Sequence, residues 1–384
     1  MTQDAGSFKL EKLSPELVSV GQALPVDVFA KNGFLLLRKG HYVLTEEQKH
    51  KLETLGVTQT QPEKNVIASA AAAEEEEKRA ELGPFEEMSN LYQRSRALLH
   101  QSIMVRSFPN AVLKLAQNII NMAETEPDAM IAAILLVPFR DYGPAHSVHS
   151  AGLLAFLTRR MALAPNQRET LLCAALTMNI SMAELQDELF NQKEALSSLQ
   201  RQDVEAHPLL SSAILREVGV EDDFWHTLVQ THHESLTGNG YPFALTRTLI
   251  LPPAHIMHMA DIVCAKLTPR RYRSALLPAT ALGHIFQRKD LEFDSTFATM
   301  LIKELGVYPP GSFVKLASDE IAVVTHRGEK PTAPKVAALR KIEGVPYIDP
   351  LLRETHHPAY KVIEPCSQQL AGVRPSYLSR LWKH

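Results

Sequence analysis

The chain has 384 residues, 45% of them apolar, with 40 lysines and arginines against 43 aspartates and glutamates and a formal charge of −3. That length allows two or three domains with a sizeable core, and the near-balance of charge argues against nonspecific binding to nucleic-acid polymers or membrane surfaces as the main role. Three isolated cysteines, Cys173, Cys264 and Cys366, form no CxxC pair, which argues against a disulfide framework or a thiolate zinc site and fits a reducing cytoplasm.

The opening stretch MTQDAGSFKLEKLSPE has no basic segment leading into an apolar one, so no secretory leader is expected. No apolar run is long enough to span a bilayer. Residues 1–66 read as a small α+β domain. In it, GFLLLRKGHYVL resembles a hairpin turning at Lys39-Gly40, and TEEQKHKLETLGV reads as a helix with capping-box spacing between Thr45 and Gln48 and a stop at Gly56. Residues 67–97 read as a helical linker. Its AAAEEEEKRAELG is rich in helix formers but lacks an apolar stripe, so the glutamate run is a solvated face.

From 98 to 305 apolar residues recur at three- and four-residue spacing in LLAFLTRRMALA, HPLLSSAILREVG, FWHTLVQTHHE and HIMHMADIVCAKL, the pattern of a helical bundle. Residues 306–384 form a β-rich extension. SFVKL and IAVVT are joined by a Ser-Asp turn as a hairpin behind Tyr-Pro-Pro-Gly, and the proline-rich tail has room for one further strand. The fold class is therefore mainly α, a helical bundle with a small N-terminal α+β domain and a C-terminal β-hairpin subdomain.

Histidines are spread over the bundle. His146 opens one helix, His207 sits at a helix start in EAHPLLSSAIL, His232 and His233 end another helix, and Asp261 lies within HIMHMADIVCAKL. Imidazole and carboxylate groups from separate helices suit borderline and hard divalent cations. His149, His226, His255 and His258 read as structural or surface residues. The His232-His233 pair stands apart, because the glycines beside it let backbone approach a ligand closely.

HHESLTGNGYP, residues 232–242, resembles the signature of the HD-GYP family, a branch of the HD phosphohydrolases. Downstream, Asp261 and then Arg270, Tyr272 and Arg273 resemble the family's Asp-bearing helix and Arg-x-Tyr-Arg element. The hairpin after Leu305 and the N-terminal α+β module resemble the family's usual surroundings. The resemblance implies metal-dependent phosphodiesterase activity on cyclic di-GMP. It implies two or three iron or manganese ions that supply a hydroxide and clamp the phosphate oxygens. The matching ligands are His146, His207, His232, His233 and Asp261. Arg270 and Arg273 match positions suited to pairing with phosphate, and Tyr241 and Pro242 shape the lip of the site.

The sequence departs from the family at its naming motif. Met178 and Asn179 stand where the family has the His-Asp pair, Ser181 replaces a glycine and Met182 a lysine. Tyr142 stands at the usual glutamate position before the first histidine, with Asp141 one residue further off, and His149 replaces an arginine. A neutral amide brings no net charge to offset two dications, and a thioether is a poor ligand for manganese or ferrous iron. The expectation is a cyclic di-GMP signalling protein that is catalytically impaired, holds an incomplete iron or manganese site or none, and acts by binding the nucleotide or a protein such as a diguanylate cyclase through the Gly-Tyr-Pro surface. The alternatives are an active phosphodiesterase with a reorganised site, using Asp141 or Asn179 as substitute ligand, and an interaction module whose histidines are relics. Homo-oligomerisation is left open.

Overall fold

The computed structural model describes residues 9–20, 22, 24–30, 35–37, 43, 46–60, 82–105, 107–268 and 276–382. It divides into two units, residues 1–81 and 82–384. In the first, strands β1 (Lys9–Lys12), β2 (Val28–Ala30), β3 (Leu35–Leu37) and β4 (Gly56–Thr60) form an antiparallel sheet in the order β1-β4-β2-β3. Helix α1 (Glu46–Leu55) stops where Gly56 opens β4. Leu13, Val18, Leu24, Val28, Val43 and Leu52 make this unit's core. β3 pairs with β2, and the Lys39-Gly40 turn lies outside the described residues, as do Thr45 and residues 67–81 of the linker segment.

The second unit runs α2 (Pro84–His100), α3 (Phe108–Thr125), α4 (Pro127–Leu136), α5 (Tyr142–Thr158), α6 (Pro165–Thr177), α7 (Ala183–Asn191), α8 (Ser198–Glu217), α9 (Asp223–Thr231), α10 (Pro252–Leu267), α11 (Pro278–Gln287) and α12 (Ser295–Leu305). Pro84, Pro127, Pro165, Pro252 and Pro278 open helices at a position where an N–H would have no partner. The Asp222 carboxylate accepts from the Phe224 and Trp225 amides at the start of α9, and Asp294 does the same for Thr296 at the start of α12.

All 17 residues of α5 are buried. It has no polar face to keep in water, so it takes the centre, with α2, α3, α4, α6, α7 and α10 packed around it. α8 corrects the expectation that His207 opens a helix. The helix begins at Ser198, where Ser197 and Gln200 exchange capping hydrogen bonds, and Pro208 lies inside it. The start signal is the Ser197–Gln200 capping box, which stands more than two turns before His207.

The C-terminal region is a five-stranded antiparallel sheet rather than a hairpin with one further strand. β5 (Phe313–Leu316), β6 (Glu320–His326), β7 (Lys335–Lys341), β8 (Pro346–Glu354) and β9 (Val362–Cys366) are ordered β8-β7-β6-β5-β9. The expected hairpin is present, with Phe313 opposite Val323 and Lys315 opposite Ile321. Alternate residues face opposite ways. Phe313, Ile321, Val323, Ala337, Leu339 and Cys366 join the helical core, whereas Val314, Leu316, Ala322, Val324, Val336 and Ala338 form a separate cluster. Two short helices, α13 (Gln368–Ala371) and α14 (Pro375–Leu378), precede Trp382, which stacks on Phe85 at 5.4 Å and donates its indole N–H to the Thr325 carbonyl. Arg327 ties the sheet to the bundle through an ion pair with Asp128, a bond to the Glu304 carbonyl and a place 4.8 Å over the Phe156 ring. Among the described residues no helix is long and apolar enough to cross a membrane.

Candidate metal centre

Helices α5, α8 and α10 and the segment after α9 bring four of the sequence-predicted ligands, His146, His207, His233 and Asp261, to the wall of one cavity of about 570 Å³, while His232 is fully buried and does not line it. His207 projects from α8, His232 caps the C-terminus of α9 and His233 follows it. One ligand atom from each of these three histidines lies within 4.8 Å of the others.

The hydrogen bonds say which atoms are bare. His207 Nδ1 lies 2.5 Å from the Val204 carbonyl and His232 Nδ1 lies 2.7 Å from the Val229 carbonyl. A carbonyl only accepts, so each Nδ1 carries a hydrogen. Burial holds the His207 and His232 pKa values down, at about 4 and about 3, so both rings are neutral near pH 7. Each Nε2 is then an unprotonated lone pair, and the two face one another at 3.2 Å. Neither can donate to the other. Two buried lone pairs held in opposition by outer hydrogen bonds are the arrangement a cation resolves. Burial also keeps the half-buried His233 well below the ordinary histidine range. The donor set, three neutral imidazoles with a carboxylate in the same cavity, fits a divalent transition-metal ion.

Asp261 and His146 pair with each other. The Asp261 Oδ1 lies 2.6 Å from His146 Nε2. Burial pushes that carboxyl up, but the His146 hydrogen bond and the neighbouring histidines outweigh it and hold Asp261 below the ordinary carboxylate range. His146 therefore donates Nε2–H to a carboxylate. Its Nδ1 lies 3.4 Å from the Tyr142 hydroxyl, and neither His146 nor Asp261 belongs to the three-histidine group.

The Gly-Tyr-Pro turn is built around a residue the sequence reading left without a role. Glu234 is fully buried, and its two carboxylate oxygens accept the Phe243 and Leu245 amides at 2.7 and 2.8 Å. It folds the turn back over His233, whose ring stacks on Tyr241 at 4.6 Å. The Tyr241 amide reaches the His233 carbonyl at 3.3 Å, and the Tyr241-Pro242 bond is cis. Replacing Glu234 by glutamine leaves one acceptor and turns an amide donor toward a backbone N–H. The expected cost is about 2 kcal/mol of stability, read by urea unfolding against the wild type. The only prior sign of this role is an acidic residue between a helix end and a glycine turn, where free backbone amides collect.

The other flagged positions divide clearly. Asn179 and Met182 line the cavity, whereas Met178 is fully buried in the hydrophobic core and does not line it. Ser181 bonds the His207 carbonyl at 3.1 Å and the Ser211 hydroxyl at 2.9 Å. Asp141 pairs with Arg96 at 2.7 Å and lines a different cavity. His149 Nε2 shares a hydrogen bond with the Tyr92 hydroxyl at 2.6 Å, and His226 is satisfied by Ser212 and the Val220 carbonyl. His258 donates to the His232 carbonyl at 2.8 Å, which supports the site from behind. Arg270, Tyr272 and Arg273 lie outside the described residues.

Residues 107–297 match the family model described as HD domain. That span holds His146, the 178–179 pair, His207, the His232-His233 pair with its Gly-Tyr-Pro turn, and Asp261. A cyclic di-GMP phosphodiesterase of Pseudomonas aeruginosa, PA4108, is 27% identical over 55% of this chain and 51% of its own length. The cyclic di-GMP phosphodiesterase PdeB of Borreliella burgdorferi is 26% identical over 48% of each chain. The chain belongs to the HD-GYP family. In fold, the HD-GYP chain is similar to Bd1817 of Bdellovibrio bacteriovorus, an HDG"Y"P protein, with a TM-score of 0.51 and 13% identity over 77% of this chain and 99% of that one. The chain spans about half the length of these two curated relatives.

Proposed function

We propose that this HD-GYP protein is a cytoplasmic cyclic di-GMP signalling protein that binds the dinucleotide beside a single iron or manganese ion and does not sustain its hydrolysis. The observation that carries this reading is the split character of the site. Three neutral histidines converge on one point, while the position for a bridging carboxylate holds the amide of Asn179 and its neighbour Met178 is part of the apolar core. His207, His232 and His233 would hold the ion, with Asp261 in the same cavity. A bound divalent ion would supply Lewis-acid charge against a phosphodiester oxygen.

The cavity wall supports a nucleotide as the ligand. Phe190 stacks on Tyr142 at 5.0 Å, and Tyr142 on His146 at 5.3 Å, giving an aromatic wall for a purine. Lys193 lines the cavity and brings the positive charge that Met182 lacks. Arg270 and Arg273 would add to it as phosphate partners. Phe243 and Leu249, 49% and 65% exposed near the Gly-Tyr-Pro turn, support a protein partner such as a diguanylate cyclase at that surface. A second reading, an active phosphodiesterase with a reorganised site, draws on the presence of Asp261 in the cavity.

Elemental analysis and cyclic di-GMP turnover decide between them. The wild type is expected to carry one equivalent of metal, bind cyclic di-GMP and show no steady hydrolysis. Asn179→Asp adds a carboxylate to the cavity and is expected to tighten manganese binding at least tenfold, roughly 1.4 kcal/mol. Two equivalents of metal with steady turnover in the wild type would sink the impaired reading.

A further inference from the structure

A proline sets the donor atom of His207. In an α-helix the N–H of residue 208 donates to the carbonyl of residue 204. Pro208 lies inside α8 and has no N–H to give. The Val204 carbonyl is left without that helical partner, and the His207 Nδ1–H takes it at 2.5 Å. This leaves Nε2 as the bare atom, aimed at His232 Nε2 from 3.2 Å.

We propose that Pro208 is a positioning residue: by withholding one backbone donor it assigns the Val204 carbonyl to His207, fixes the Nδ1–H tautomer and keeps Nε2 open for a metal ion. The proposal rests on the reading of His207 as a ligand. His232 reaches the same state by another route. α9 ends at Thr231, so the Val229 carbonyl lies among the last carbonyls of the helix, and His232 Nδ1–H takes it at 2.7 Å. Across the site, then, two carbonyls released from helical bonding, one by a proline and one by a helix end, orient two facing donors. On the far side of the proline turn, Ser181 and the Ser211 hydroxyl hold the His207 carbonyl region in place.

A proline kept only for structure and one kept for the ligand respond differently to Pro208→Ala. Alanine restores the helical bond and favours α8. The metal-free variant is therefore expected to melt at the same temperature as the wild type or higher. Its manganese Kd is expected to rise at least tenfold, because the Val204 carbonyl now has a competing donor and the ring is free to change tautomer. Nitrogen-15 NMR of the metal-free protein should show His207 as Nδ1–H in the wild type and a shift toward Nε2–H in the variant. A manganese Kd within twofold of the wild type would overturn the proposal, and so would an Nε2–H tautomer of His207 in the wild type. If the wild type takes up no manganese, the single-ion reading fails on that result alone, and the tautomer measurement still decides whether Pro208 sets the ring.

Discussion

Gly240→Ala is expected to cost about 3 kcal/mol of stability or more and to abolish metal binding in the same stroke. A Cβ at this position would lie 2.4 Å from the Ser235 amide nitrogen, 2.5 Å from the Glu234 Cα and 2.6 Å from the His233 carbonyl oxygen. All three are backbone atoms, so no flexible side chain can swing aside, and overpacking of this kind costs 1–3 kcal/mol or more. The backbone that must move belongs to His233 and to the buried Glu234, whose carboxylate clasps Phe243 and Leu245. Moving it separates His233 from His207 and His232. Gly238, with φ +74°, meets only distant neighbours at 3.8 Å and 4.0 Å, so its alanine variant tests left-handed backbone strain alone. It should lose about 1 kcal/mol and keep its metal. Urea unfolding with manganese titration on both variants checks the contrast. A Gly240→Ala protein that binds manganese like the wild type would show that the turn does not hold the ligand.

That contrast marks what a reader of the sequence can and cannot see. The histidines of HHESLTGNGYP and His207 were legible as a group through their match to the HD-GYP signature, and the structure brings one ligand atom from each within 4.8 Å of the others. The bundle was legible from its three- and four-residue spacing. What stayed hidden depends on contacts between distant segments. His146 and Asp261 are 115 positions apart, and only the packing of α5 on α10 reveals that they bond each other. Met178 sits beside Asn179 in sequence, yet one joins the core and the other lines the cavity, because neighbouring residues leave a helix end on different sides. β7, KVAALRK, carries helix-forming alanine, leucine, lysine and arginine. It is a strand because β6 and β8 pair with it on either side and its small alanines fit between two packed layers. Context overrides propensity there, so a local reading found the first hairpin and not the sheet that grows from it.

Burying so many neutral histidines ties stability to pH with a definite sign. Burial holds His149 and His232 at about 3 and His207 at about 4, against about 6.5 for an unfolded histidine. Between pH 6.5 and 4 the unfolded chain therefore binds protons that the folded chain refuses, and stability falls as the pH falls. The slope is about 1.4 kcal/mol per pH unit for each group, so each loses roughly 2 kcal/mol by pH 5 and the three together roughly 6 kcal/mol. That is comparable to the whole stability of a typical domain. Asp261 does not contribute in this window. Its carboxyl is held low, so its stabilisation is present above the unfolded value of about 3.9 and is lost only as the pH falls below it. Urea unfolding of the metal-free protein at pH 7, 6 and 5 should show the decline. His233, which burial also holds low, adds to the decline, and His149→Gln, which keeps a hydrogen-bonding partner for the Tyr92 hydroxyl, should remove one histidine's share, roughly 2 kcal/mol by pH 5. Manganese affinity of the folded protein should stay nearly flat over the same range, because His207 and His232 need lose no proton to bind. A metal affinity that falls steeply between pH 7 and 5 would mean that these rings titrate in the folded state, and that the cavity is wetter than their burial implies.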